Sequence, residues 1–248
     1  MKISKMHLLV TTAPFAAMLL STPSYAQEKT SEDAGIEEII VTAQKRSENL
    51  QDTPISISVL TSQGLEDRHV TSLLDLGDGA IPSLKVAPFF SRPGALIVNI
   101  RGVGVLADSN QPARDQGVGV YVDGVYMGRS GLGMSDLTDI ERVEVLQGPQ
   151  GTLYGKNSNA GVVSVVTKKP NFDEVEGYVE VTAGDYGLQQ YTASVTGPVS
   201  DELAYRIAGN WREQDGWLKN GSGPDQMSAE DWNLRGKVQW LPSDDLSI

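Results

Sequence analysis

Gly151 and the Gly155-Lys156 pair are the residue types of a phosphate cradle, in which backbone N–H groups and an ammonium surround an anion. The spacing fails. A P-loop needs four residues between its first glycine and the Gly-Lys pair, whereas Gly151 to Gly155 encloses three, and Asn157 stands where Ser or Thr would hold Mg²⁺. A second candidate, Gly102-Val-Gly104-Val-Leu-Ala107, follows a strand-like run and has the G-x-G-x-x-A form of a dinucleotide fingerprint. Residues 108–116 after it hold Ser, Asn, Gln and Pro112 with no apolar period, so no helix N-terminus awaits a pyrophosphate. Nucleophilic and metal chemistry also lack their residues. Cysteine and a Gly-x-Ser-x-Gly elbow are absent, and Asp244-Asp245 sits in a turn where solvation is the ordinary role. We expect no catalytic residue, no metal site and no cofactor.

The same glycines serve a structural purpose. Gly148, Pro149, Gly151, Gly155, Asn157, Asn159 and Gly161 join two valine-rich runs, residues 142–146 and 162–167, each of strand length. Val143 and Val145 share one face of the first run, and Val163 and Val165 one face of the second, so the pair can bury a common layer. Around it, Ile55, Ile57 and Val59 alternate with polar residues after Pro54, and Thr61 or Ser62 can cap a short helix reaching Val70. A second short helix runs from Thr71 or Ser72 through Leu76, and residues 96–101 read as a strand. Val118 to Val122 meets Val125 to Met127 across Asp123-Gly124, the dipeptide of a type I′ hairpin. Residues 52–170 thus read as one α+β domain, a mixed sheet with short helices.

The chain opens with a removable leader. Lys2 and Lys5 precede a mostly apolar run over residues 8–20, and Ser24-Tyr25-Ala26 has the small-x-small form of a cleavage site. Removing residues 1–26 leaves 248 minus 26, or 222 residues, and takes the net charge from −12 to −14 by the loss of two lysines. So acidic a chain repels nucleic-acid phosphates, and none is expected as a partner. His69 is then the one histidine left, more often a surface residue than a base.

Residues 27–51 read as a flexible leader carrying one β-prone run, with Ile39, Ile40, Val41 and Thr42 at its centre. Such a segment can add itself as a strand to a partner's sheet edge. On the residues alone, an ordinary first strand of the domain is the simpler and favoured account.

Beyond Pro170 a strict alternation begins. Leu203, Tyr205, Ile207, Gly209 and Trp211 oppose Ala204, Arg206, Ala208, Asn210 and Arg212, and Trp232, Leu234, Gly236, Val238 and Trp240 oppose Asn233, Arg235, Lys237 and Gln239. Two shorter runs near residues 178–183 and 190–195 obey the same rule. Trp232 and Trp240 would lie roughly 19 Å apart along a strand tilted by about 45°, close to the height of a lipid-facing band between aromatic girdles. A soluble sandwich would alternate likewise. The export leader, the tryptophans at strand ends and the alternation of short and long connections favour transmembrane β-strands.

Several phrases resemble the TonB-dependent receptors of the Gram-negative outer membrane. IEEIIVTAQKR (residues 36–46) resembles that family's energy-coupling box, and NIRGVG (residues 99–104) and GVGVYVDGVYM (residues 117–127) resemble its plug phrases. DIERVEVLQGPQGTLYGKNSNAGVVSVVTKKP (residues 139–170) resembles the plug's closing signature. The resemblance implies a plug held inside a barrel of about 22 strands, with residues 171–248 supplying the first few antiparallel strands. It implies capture of a scarce small molecule or metal chelate, most commonly an iron–siderophore complex, and uptake driven through TonB, with outer-membrane lipid around the wall. It assigns TonB contact to Glu38, Ile39, Ile40, Val41, Thr42 and Ala43, and a structural signature to Arg101, Gly102, Asp123, Gly124, Gly148, Pro149, Gly151, Tyr154, Gly155 and Gly161. Apical ligand contacts fall on Phe89, Phe90, Arg92 and Arg114, in loops spanning residues 87–94 and 106–116. The 78 residues after Pro170 (248 minus 170) make about four strands, whereas the smallest outer-membrane barrels have about 8. A truncated product is therefore expected, and a soluble periplasmic plug module is the alternative reading.

Overall fold

In this computed structural model, residues 39–89, 92–104, 115–128, 137–243 and 246 are described, with the side chains of 89 and 92–95 left aside. Strands β1 (Ile40–Val41), β2 (Glu48–Asn49) and β3 (Ile57–Thr61) lead into helix α1 (Ser62–Asp67) and a 3₁₀ turn at Asp75–Asp78. Next come β4 (Leu84–Phe89), β5 (Arg92–Ile100), β6 (Val103–Gly104), β7 (Val118–Val122) and β8 (Val125–Tyr126). Strand β9 (Ile140–Gln147), helical turn α2 (Gly151–Tyr154) and β10 (Gly161–Thr167) complete the first domain. Four longer strands follow, β11 (Glu176–Ala183), β12 (Gln189–Ser200), β13 (Leu203–Gln214) and β14 (Ala229–Trp240).

The valine-rich runs form the centre of a five-stranded sheet ordered β3-β9-β10-β7-β8. Strands β9 and β10 pair antiparallel, with Val143 opposite Val165 and Val145 opposite Val163, and β10 runs parallel to β7. All four valines are essentially inaccessible, packed with Leu65, Leu76, Ile100 and Val118 in one core. Gly161 sits where the chain re-enters this sheet. Its φ is +149°, and a Cβ there would lie 2.3 Å from the Leu146 carbonyl oxygen and 2.7 Å from Ile100 Cδ1, so only glycine fits. Asp123 (φ 48°) and Gly124 (φ 80°) both take positive φ, as the type I′ turn between β7 and β8 requires.

One region departs from the sequence expectation. Residues 87–94 read as an apical loop, yet Phe89 and Arg92 are Cα partners at the tip of a β4–β5 hairpin that extends through Leu84 and Ile100. The structure accommodates Pro88 on β4, an edge strand in the order β4-β5-β6, with a register shift beside it. The expected second helix is only the short 3₁₀ turn, where one Asp75 carboxylate oxygen accepts from the backbone N–H of Thr71 and Ser72.

Strands β11 to β14 form a separate antiparallel sheet in sequence order. Its polarity decides between membrane wall and soluble sandwich. The apolar face points away from the domain, leaving Val179 78%, Trp232 75%, Leu234 71% and Val238 69% exposed. The polar face meets the domain, with Arg206 and Asn210 buried. Tyr191, Trp211 and Trp232 fall in one cross-strand row, and the Tyr191 and Trp211 rings lie 5.6 Å apart, an aromatic line at one end of the outward face.

Candidate functional site

Two arrangements bring polar groups together, one at the start of the described chain and one where the long sheet meets the domain. The first is built around residues 39–45. Strand β1 pairs with β2, Ile40 opposite Asn49, and the Leu50 N–H donates to the Ile39 carbonyl at 2.9 Å. Ile40 faces out, whereas Val41 and Ala43 are fully buried against Tyr121, Leu146 and Val162. Both the backbone N–H of Thr42 (2.9 Å) and its hydroxyl (3.1 Å) donate to Glu144 Oε1, which also accepts from Arg142 Nε at 2.8 Å. Glu144 is wholly inaccessible, a position a carboxylate holds only when such donors replace water. The Tyr154 hydroxyl donates to the Ala43 carbonyl at 3.1 Å, and the Tyr121 hydroxyl donates to the Tyr154 carbonyl at 2.5 Å. Burial first, then the nearby Glu144 charge and Tyr121, push the Tyr154 hydroxyl up to about 12. Lys45 Nζ lies 5.5 Å from the centre of the same ring.

The second arrangement fixes the domain to the long sheet. Arg206 grips Asp139 with both guanidinium branches, Nε to Oδ2 at 2.6 Å and Nη2 to Oδ1 at 2.5 Å, both residues being buried. Arg235 Nη1 donates to the Thr138 carbonyl at 2.9 Å. Lys237 Nζ reaches the Thr167 carbonyl at 3.3 Å and Asp123 at 3.1 Å. Burial raises the Asp123 carboxyl, but donors on Thr167 (N at 2.9 Å, Oγ1 at 2.7 Å) and the Lys237 ammonium outweigh it and hold the group below the ordinary carboxylate range. A sheet whose cations face a folded domain while its tryptophans face outward is a barrel wall around a plug.

Comparison with known proteins agrees. Residues 49–162 match the family described as TonB-dependent Receptor Plug Domain. The fold aligns with the crystal structure of the ferric yersiniabactin uptake receptor FyuA from Yersinia pestis at a TM-score of 0.68 and 28% identity, covering 77% of this chain and 29% of that one. The chain belongs to the TonB-dependent receptor family. It is 31% identical over 205 residues to the ferrioxamine B receptor of Salmonella typhimurium, covering 78% of this chain and 27% of the relative. It is also 31% identical over 207 residues to the vitamin B12 transporter BtuB of Vibrio vulnificus, covering 81% of this chain and 32% of that relative. The receptor chain therefore spans about a third or less of the curated relatives it matches.

Within the receptor, the sequence-derived residues fall into three groups. Ile39, Ile40, Val41, Thr42 and Ala43 come together on the plug as described above; Glu38 lies outside the described residues. The signature residues act as framework. Arg101 (φ 53°) and Gly102 (φ 76°) turn the chain after β5, and Arg101 reaches Gln147 Oε1 and Ser56 Oγ at 3.2 Å each. Gly148, Pro149, Gly151 and Gly155 shape the turn that carries Tyr154 under residues 39–45, with the Gly148 N–H on the Ala160 carbonyl at 3.1 Å. Of the apical set, Phe90 and Arg114 lie outside the described residues, as do the side chains of Phe89 and Arg92.

Sequence reading missed Glu144, Arg142, Asp139, Arg206 and Lys237. A signal existed for the first pair. Arg142 and Glu144 are two apart on a strand whose other face is valine, and two opposite charges on one face of a buried strand must be paired to each other or to a third group.

Proposed function

We propose that this receptor captures a scarce solute at the outer membrane, an iron–siderophore complex being the first candidate, and takes it up with energy supplied through TonB. Residues 1–26 are its export signal, 27–51 its leader with the coupling box near 36–46, 52–170 its plug and 171–248 its opening wall strands. The observation that carries the reading is the polarity of the wall, charged toward the plug and apolar with an aromatic line outward. Energy coupling is supported by residues 39–43. Val41 and Ala43 are buried, but Ile40 faces out and the strand's main-chain pairing runs only to the short β2, so an added strand from TonB can replace that pairing. Solute contacts fall on the apical positions Phe89, Phe90, Arg92 and Arg114. Bond-breaking chemistry has no part in it.

Cells that express the receptor and are supplied with radioiron as ferrioxamine B test this. The expected result is uptake that depends on TonB and is lost with Ile40→Pro, which breaks the β1 main-chain pattern at an exposed position, while surface binding of the chelate is kept. Recovery of the 222-residue chain as a stable soluble periplasmic protein would remove the outer-membrane reading.

A further inference from the structure

The plug touches the wall unevenly. Arg206, Arg235 and Lys237, which anchor it, all lie toward the end of the wall that carries the tight Ser200–Leu203 connection. From Thr138 and Asp139 beside these anchors toward the other end of the wall, a cavity of about 740 Å³ runs between the wall and α1 with the residues following it. Pockets of roughly 300–1,000 Å³ enclose ligands of drug size. This one has a graded lining. At its far end Thr182, Gln190 and Arg212 are register partners across β11, β12 and β13, placing a hydroxyl, an amide and a guanidinium in a single row. Arg212 Nη2 is engaged by Gln214 at 2.8 Å, but its Nε is enclosed and makes no hydrogen bond among the described residues. An enclosed guanidinium N–H without an acceptor is costly, and a ligand oxygen would satisfy it. At its rim the exposed Glu66 on α1 and Glu180 on β11 line the plug and wall sides, while Leu65, Val70 and Ile140 supply the apolar floor.

We propose that this cavity is a second solute subsite between plug and wall, separate from the apical loops. It takes an oxygen-rich chelate whose acceptor atoms meet the Thr182–Gln190–Arg212 row and whose cationic end meets Glu66 and Glu180. The proposal rests on the uptake reading, since such a subsite serves a solute on its way past the plug. It also explains why the plug is anchored at one end of the wall and stands clear of it at the other.

The absence of cysteine makes a thiol-protection experiment clean. Ser62, on the cavity lining, and Ser200, at the anchored end of the wall, are each replaced by cysteine in the receptor purified from outer membranes. Their maleimide labelling rates are then measured against ferrioxamine B, a trihydroxamate chelate with a pendant ammonium, and against its N-acetylated form. The chelate is expected to slow labelling at Ser62→Cys but not at Ser200→Cys. Arg212→Gln is expected to raise the half-protecting concentration of both forms by about tenfold, the loss of a charge-assisted hydrogen bond. Glu66→Gln and Glu180→Gln are expected to do so for the ammonium form alone. No protection at Ser62→Cys, or protection indifferent to Arg212→Gln and to both glutamate changes, overturns the subsite. Radioiron uptake separates the two readings: uptake without protection removes only the subsite, and protection without TonB-dependent uptake removes the transport reading.

Discussion

Tyr154 links residues 39–45 to the rest of the plug through one hydroxyl, and its ionisation gives a pH test of that link. Its folded value, about 12, lies above the ordinary 10.0, so its contribution is fully present below pH 10 and is lost as pH rises through about 12. Alkaline titration followed by tyrosinate absorbance should show a late-ionising component to which Tyr154 contributes alongside Tyr121, whose hydroxyl is also pushed up by burial, with protease access to residues 39–50 increasing over the same interval. Tyr154→Phe should reduce that component and loosen the segment at neutral pH by about 1 kcal/mol, the worth of one hydrogen bond. Glu144 makes a sharper case, because its Oε1 serves Thr42 twice and Arg142 once. Glu144→Leu, which removes the acceptor of Thr42 and of Arg142 Nε and leaves the Arg142 guanidinium paired with Glu141 alone, should destabilise the plug by about 1–3 kcal/mol in denaturant unfolding. The spacing of Arg142 and Glu144 hints at their pairing with each other, but the third member, Thr42, is not legible in sequence because it lies 102 residues from Glu144.

At the scale of elements, the β9–turn–β10 unit was legible and its partners were not. Two valine runs separated by glycines specify strands and a folded turn by local rules alone, and the type I′ turn at Asp123-Gly124 follows equally from its dipeptide. Gly161→Ala tests the tightest point of that unit. The added methyl meets the Leu146 carbonyl and Ile100, so a loss of about 1–3 kcal/mol and a lower urea midpoint are expected, with little change in m-value. The attachment of plug to wall belongs to this scale too. Arg206→Met leaves Asp139 buried without a partner and should cost about 3–5 kcal/mol, whereas Arg206→Met combined with Asp139→Leu should recover most of the loss. A double-mutant cycle in guanidinium unfolding measures the difference. The β4–β5 hairpin reaches into residues placed in a loop by resemblance, and its edge strand tolerates Pro88 as an interior strand would not.

For the whole molecule, the wall's outward face is the feature to challenge. Gly236 lies midway between Trp232 and Trp240 on that face, and a side chain added there meets nothing within 4 Å. Gly236→Arg therefore isolates the penalty for charge in hydrocarbon, expected at about 2–4 kcal/mol and read as impaired folding into lipid vesicles. Gly236→Leu should fold at least as well as the parent. If both substitutions behave alike, the face does not contact lipid.

The sequence by itself determined the valine-rich strands and the turns that join them, that these strands share a buried layer, and that the strands after Pro170 are apolar on one face only. These are local properties, written in residue type and period. It also restricted the chemistry, since without cysteine and with few histidines a nucleophile or metal site has little to be built from. Only the tertiary structure decided which way the alternating sheet faces. Alternation is symmetric under exchange of inside and outside, and the choice is made by where Asp139, Thr138, Asp123 and Thr167 present acceptors to Arg206, Arg235 and Lys237, contacts that join residues 67 to 114 positions apart.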